Sequence, residues 1–262
     1  QAGQGRSLAN PPKRATPCEQ ADRQRSPKNI GGIMASLVSL TSCDIDSDYD
    51  EVRRPTALVT VYPQGANGFY MQLDSVTTLV PTNLKSSPFG EKTVRALVNY
   101  NEESGSNGGV KNVKVNWIDS IRTKLPVATT GENDDKTFGN DPIEIVRDWV
   151  TVAEDGYITL RIRTIWGNGS KHEINLVTGT NKDNVYELTL RHNANGDLQG
   201  RYADALVAFD LNSLYKNHGD KVKLRLNWQS FSGKKSLDVS LKMHSAKAKV
   251  MEERLPMCSR ID

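Results

Sequence analysis

From Thr56 to Met243 apolar residues fall on every second position in short runs, and Gly, Asn, Asp and Pro separate the runs. Period two belongs to strands, whose successive side chains point to opposite faces. The spacing predicts strands at 57–62, 69–73, 76–80, 94–100 and 113–121, the first ended by Pro63 and the last two joined through the glycine-rich 105–109. Five strands in about 70 residues suit a small barrel of the oligonucleotide/oligosaccharide-binding (OB) type. A second set is predicted at 142–146, 149–152, 157–166, 172–178, 185–192, 202–210, 222–228 and 237–243, with one helical turn at 211–215. The fold class is therefore all-β, an OB-like barrel (56–124) and an antiparallel β-sandwich (142–245), with the Thr-, Gly-, Asn- and Asp-rich 125–141 as linker. Residues 246–262 show no strand pattern and read as a disordered tail.

Parity also sorts the four tryptophans. Trp117 is in phase with Val113 and Val115, Trp228 with Val222, Leu224 and Leu226, and Trp149 with Ile143 and Ile145, so all three are predicted core. Trp166, beside the Gly167-Asn168-Gly169 turn, is the one expected at the surface. It is the candidate for ligand binding, and a glycan is the class an exposed ring would stack.

Ahead of the strands the pattern changes. Arg23, Arg25 and Lys28 precede the apolar run Ile33–Leu40, which leads into Leu40-Thr41-Ser42-Cys43. This is the order of a signal peptide ending in a lipobox, with residues 1–42 as leader and Cys43 as the lipidated residue. The run is too short to cross a hydrocarbon core, which takes about 20 residues. Several acyl chains would anchor the protein instead, each buried methylene contributing about 0.8 kcal/mol. Residues 1–29 are richer in Pro, Gln and Arg than an n-region, which suggests a fragment or a misassigned reading frame. Residues 43–55 carry alternating Asp and read as an acidic tether, since like charges extend a linker.

The net charge of +3 changes meaning once the leader is set aside. Six basic and two acidic residues precede Cys43, leaving 28 basic against 29 acidic in the remainder. A polyanion binder needs clustered cations in its working part. None lies between Thr56 and Leu84, where an OB barrel would stack bases, so no nucleic-acid partner is expected. Asp44 to Met257 holds no cysteine, which removes thiol chemistry and cysteine-bound zinc from the folded part.

Catalytic motifs are missing as well: no G-x-S-x-G elbow, no phosphate-binding loop and no H-E-x-x-H. His172, His192, His218 and His244 show no ligand spacing and read as scattered surface residues. In Asn193-Ala-Asn-Gly-Asp197 alternate oxygens imitate a calcium loop, with Asp204 at the twelfth place. Leu198 stands where the loop needs glycine, so a tight turn is expected. The expectation is a protein without catalytic activity, cofactor or metal.

Leu97-Val-Asn-Tyr100, Gly139-Asn-Asp-Pro142 with Ile143, Arg191-His-Asn-Ala-Asn-Gly-Asp197 and Val207-Ala-Phe-Asp-Leu211 together resemble NigD-like lipoproteins, which are typical of Bacteroidota. The likeness runs from Cys43 to Met243 and keeps the order lipobox, acidic stretch, OB-like domain, sandwich. It implies an outer-membrane lipoprotein of the cell envelope, with Cys43 carrying the lipid and the acidic stretch resembling a surface-export signal. It further implies a protein partner, a bacteriocin or an envelope protein, in an immunity-like role. The alternatives are a glycan-binding accessory lipoprotein and a hydrolase whose acids carry no motif.

Overall fold

The computed structural model describes residues 54–105 and 107–244. The leader, Cys43, most of the acidic tether and the tail lie outside the described residues.

The first five strands are β1 (Ala57–Pro63), β2 (Phe69–Gln72), β3 (Thr78–Pro81), β4 (Val94–Glu102) and β5 (Val110–Ser120). They close into a barrel in the order β1-β2-β3-β5-β4, with β3 parallel to β5 and the other neighbours antiparallel. Val59, Val61, Met71, Leu79, Ala96, Val98 and Val113 fill it. Ala57 to Val61 are all buried, with no alternation, because β1 is covered on both faces. Val59 and Val61 point into the barrel, whereas Leu58 packs outward on Ile121 and Ala208.

Parity fails at Trp117 for a local reason. The β4–β5 register shifts between Asn99 and Tyr100, so Trp117 lies opposite Asn99 and Ile118 opposite the buried Val98. Facing residues of an antiparallel pair share a side. Ile118 therefore packs on the barrel core, and Trp117 sits half-buried on the outside.

The sandwich has two five-stranded sheets. One runs β6 (Arg122–Lys124), β13 (Arg201–Asp210), β10 (Tyr157–Trp166), β8 (Glu144–Val146), with β9 (Val152–Glu154) also on β10. The other runs β15 (Gly233–Lys242), β14 (Lys221–Ser230), β12 (Glu187–Asn193), β11 (Glu173–Thr178), β7 (Val127–Ala128). Most ladders are antiparallel; β6–β13, β7–β11 and β12–β14 are parallel. Inward side chains such as Leu160, Ile162, Leu176, Leu190, Phe209 and Leu226 form its core, and Trp228 joins them as expected. Helix α2 (Asn212–Tyr215) supplies the one helical turn expected beside β13.

The stretch expected as linker is built into the sandwich. β7 within it adds to one sheet and helix α1 (Asp134–Phe138) follows, while β6, just ahead of it at the end of the stretch expected as barrel, adds to the other sheet. Asp134 fixes this segment by accepting from the Thr130 amide and the Thr129 and Thr130 hydroxyls. Those bonds hold its carboxyl below the usual range although burial alone would raise it.

Trp149 also departs from expectation, being 56% exposed. Between β8 and β9 the chain bulges: the Thr151 amide donates to the carbonyl of Asp148, and the Thr151 hydroxyl donates to that of Val146. The bulge breaks the alternation and turns Val150 inward in place of Trp149.

Barrel and sandwich meet across a packed junction. Arg95 of β4 is fully buried there. It donates to Thr60 Oγ1 (2.9 Å), Thr159 Oγ1 (3.3 Å) and Glu154 Oε1 (2.8 Å). A second tie joins Tyr62 of the barrel to Asp155 Oδ2 (3.0 Å), with His244 Nδ1 2.5 Å from Asp155 Oδ1. Burial first, then the Asp155 charge, pushes the Tyr62 hydroxyl far above its ordinary value, so it stays a donor.

Candidate functional site

At one end of the sandwich the β10–β11 and β12–β13 connections cross beside each other and enclose a cluster of rings and one carboxylate. Trp166 ends β10, His172 immediately precedes β11, His192 lies on β12, and Asp197 sits in the following turn. Trp166 is not a free platform. Its ring stacks on His172 at 3.9 Å between centroids, and its Nε1 donates to the carbonyl of Ala203 at 3.1 Å.

The two histidines are neither scattered nor at the surface. The side chains of His172 and Asp197 are each 1% exposed, and His192 is equally buried. His172 Nδ1 lies 2.9 Å from His192 Nε2, and His172 Nε2 lies 3.4 Å from Asp197 Oδ2. His192 Nδ1 faces the carbonyl oxygen of Pro142 at 3.2 Å. Asp197 accepts from the amides of Gly167 (3.0 Å) and Asn168 (2.9 Å), bonds that favour its charged form and hold its carboxyl below the usual range. Burial, then the neighbouring His172, lowers the basicity of His192.

The same parity that sorted the tryptophans would have found this pair. His192 continues the inward series Leu188, Leu190, and His172 precedes the inward Ile174 and Leu176 by the same step. Their meeting needed the pairing of Ile174 with His192 across β11 and β12, which sequence spacing does not carry. Of the other two, His244 is tied to Asp155, and His218 is exposed beside the Tyr186 hydroxyl.

The loops approach too closely for side chains at two glycines. A Cβ on Gly167 would lie 1.8 Å from the Gln199 carbonyl oxygen, and one on Gly200 2.1 Å from that of Trp166. In the turn itself Asn195 and Gly196 have φ of 50° and 82°, the left-handed values that Asn and Gly tolerate. Asp204, the twelfth residue of the apparent calcium pattern, is engaged elsewhere, by Arg161 and Arg163, and these hold its carboxyl down to about 2. Among the described residues no group of three His, Cys, Asp or Glu side chains is placed to hold a metal ion.

Chemically, the cluster is a closed network. Its ring nitrogens are directed at one another, at a carbonyl or at a carboxylate, and the His172, His192 and Asp197 side chains are shut from solvent, so a substrate would not reach those three. A second polar region lies on the outer face of the β14–β12 sheet: Glu187 accepts from Asn181 and Asn227, and Arg191 pairs with Asp135 while its Nε has no hydrogen-bond partner. Several large apolar side chains also stay open to solvent. Trp149 is 56% exposed, Tyr202 62% and Phe231 39%, the last two in edge-to-face contact at 5.4 Å. No helix among the described residues is long and apolar enough to cross a membrane.

Residues 58–121 match the NigD-like N-terminal OB domain, and residues 126–241 match the NigD-like C-terminal β-sandwich domain. The chain belongs to the NigD-like family. The family's two-domain order coincides with the barrel and sandwich described above, and its second domain begins within the segment expected as linker. A toxin-related protein from Parabacteroides distasonis is similar in structure, with 32% identity, a TM-score of 0.62, and coverage of 75% of this chain and 97% of its own. The fold is shared with a NigD-like immunity protein from Bacteroides caccae (17% identity, TM-score 0.51, 70% and 90% covered). It is shared too with a lipoprotein from Bacteroides fragilis (12% identity, TM-score 0.53, 72% and 98% covered). No curated protein matches the sequence.

Proposed function

We propose that this NigD-like chain is a non-catalytic lipoprotein of the cell envelope, anchored through Cys43 to the outer membrane, that binds another protein in an immunity-like or bacteriocin-associated role. The observation that carries the reading is the contrast between its polar and apolar groups. The His172, His192 and Asp197 side chains are turned inward and bonded to one another, while Trp149 and the Tyr202–Phe231 pair stay in solvent. Large aromatics left at a surface contribute most when a protein partner covers them. The rigid junction at Arg95 supports a body that presents one fixed surface. Kinship with the toxin-related Parabacteroides protein supports the toxin-linked role.

Deleting the gene should sensitise the native bacterium to a toxin encoded nearby, and full-length protein should restore resistance while a Trp149→Asp, Tyr202→Asp double variant should not. Unchanged survival of the deletion strain across all neighbouring toxins would contradict the immunity role. The glycan reading draws less support, because one face of Trp166 is closed by His172 and its N–H is spent on Ala203.

A further inference from the structure

The hydrogen-bond directions inside the buried His–Asp cluster admit one proton count. The Pro142 carbonyl can only accept, so His192 Nδ1 carries a hydrogen. The 2.9 Å contact between His192 Nε2 and His172 Nδ1 holds one hydrogen, carried by one ring or the other. His172 Nε2 faces Asp197 Oδ2, an acceptor already engaged by two backbone amides through the same carboxylate. The carboxylate only accepts, so His172 Nε2 also carries a hydrogen, and the two rings together hold three hydrogens on four nitrogens, one proton more than two neutral imidazoles. The indole of Trp166, stacked at 3.9 Å, suits a cation, since an aromatic face attracts positive charge.

We propose that the His172–His192 pair shares one extra proton beside Asp197, and that this proton latches the β10–β11 connection to the β12–β13 turn until a second proton, taken up in mild acid at the contact between the two rings, opens it. A protonated His192 has no lone pair for His172 Nδ1, and two adjacent imidazolium rings repel. The contacts that then part are those of Asp197 with Gly167 and Asn168, together with the bond from Asn195 Nδ2 to the Lys171 carbonyl (2.6 Å).

The charged groups facing the pair are few. Asp197 approaches from the turn, and Asp141, which accepts from the Ala194 amide, from the segment ahead of β8. Arg191 projects from the opposite face of β12 to Asp135, and Lys171 and Arg201 are exposed. No cation therefore competes for the first proton, and two carboxylates balance it. Opening would free the covered face of Trp166 at the end of the sandwich where the sheets are joined.

Two measurements on the full-length folded chain decide this. Nitrogen-resolved NMR of the imidazole rings at neutral pH should show three hydrogens on the four ring nitrogens of the pair, with His172 Nε2 and His192 Nδ1 both protonated. Hydrogen exchange, corrected for intrinsic rates, should show the Gly167 and Asn168 amides losing protection on acidification, about tenfold per pH unit for uptake of one proton. His192→Gln, which cannot take that proton, should abolish the pH dependence. Two neutral rings at pH 7, or the same acid loss of protection in His192→Gln, would overturn the latch. Should the variant fail to fold, the ring nitrogens of the native protein decide alone.

Discussion

Arg95→Met removes a guanidinium from the junction of barrel and sandwich while keeping most of its stem. The Arg95 side chain is 1% exposed and its ion-pair partner Glu154 25%. Its loss strips the hydroxyls of Thr60 and Thr159, both fully buried, of their donor. Each buried polar group left unpaired costs about 1–3 kcal/mol, and breaking a buried ion pair about 3–5 kcal/mol. Glu154 keeps some solvent and the terms overlap, so the expected loss is about 3–5 kcal/mol, not their sum. In a domain of this size that lowers Tm by roughly 10 °C. Urea unfolding followed by fluorescence should show the loss as a lower midpoint. Adding Thr60→Val and Thr159→Val to Arg95→Met should recover part of it, because apolar partners no longer need the donor. A loss below about 1 kcal/mol, or no recovery in the triple variant, would refute the view that this arginine organises the junction.

Other outcomes follow from the same geometry. Gly167→Ala should destabilise the sandwich by about 2 kcal/mol or more, since its Cβ would strike the Gln199 backbone. Gly169→Ala, with open space but φ of 81°, should cost only about 1 kcal/mol; equal effects in calorimetry would contradict the close approach. His192 is less basic folded than unfolded, so the stability it contributes is complete above the unfolded value of about 6.5 and falls as pH drops below it. Thermal unfolding should therefore show Tm declining from about pH 6.5 downward, and a His192→Gln variant should lack that portion. Asp204, held near 2 by Arg163 and Arg161, should add a later decline between about pH 4 and its folded value, absent in Asp204→Asn.

Much of the fold is legible in the sequence because alternation is local. The barrel strands and the long sandwich strands announce themselves in runs such as Tyr157–Trp166, where every second residue is apolar or large. The segment at 122–141 hides its role, since β6 and β7 are two or three residues long and gain their place by pairing with residues some 50 to 85 positions away. Trp117 and Trp149 mislead for a common reason: a register shift in one case and a bulge in the other reset the phase, and neither leaves a mark in the residues themselves. The His172–His192 pair was within reach of the parity argument, but Asp197 and Trp166 join it only through the crossing of two loops.

The anchor is the claim on which the envelope role depends most. Labelled-palmitate incorporation in the native bacterium, compared between wild type and Cys43→Ala and joined with proteolysis of intact cells, tests it directly. Lipid label and membrane association are expected in the wild type and neither in the variant. Wild-type protein that carries no label and fractionates with soluble material would contradict it.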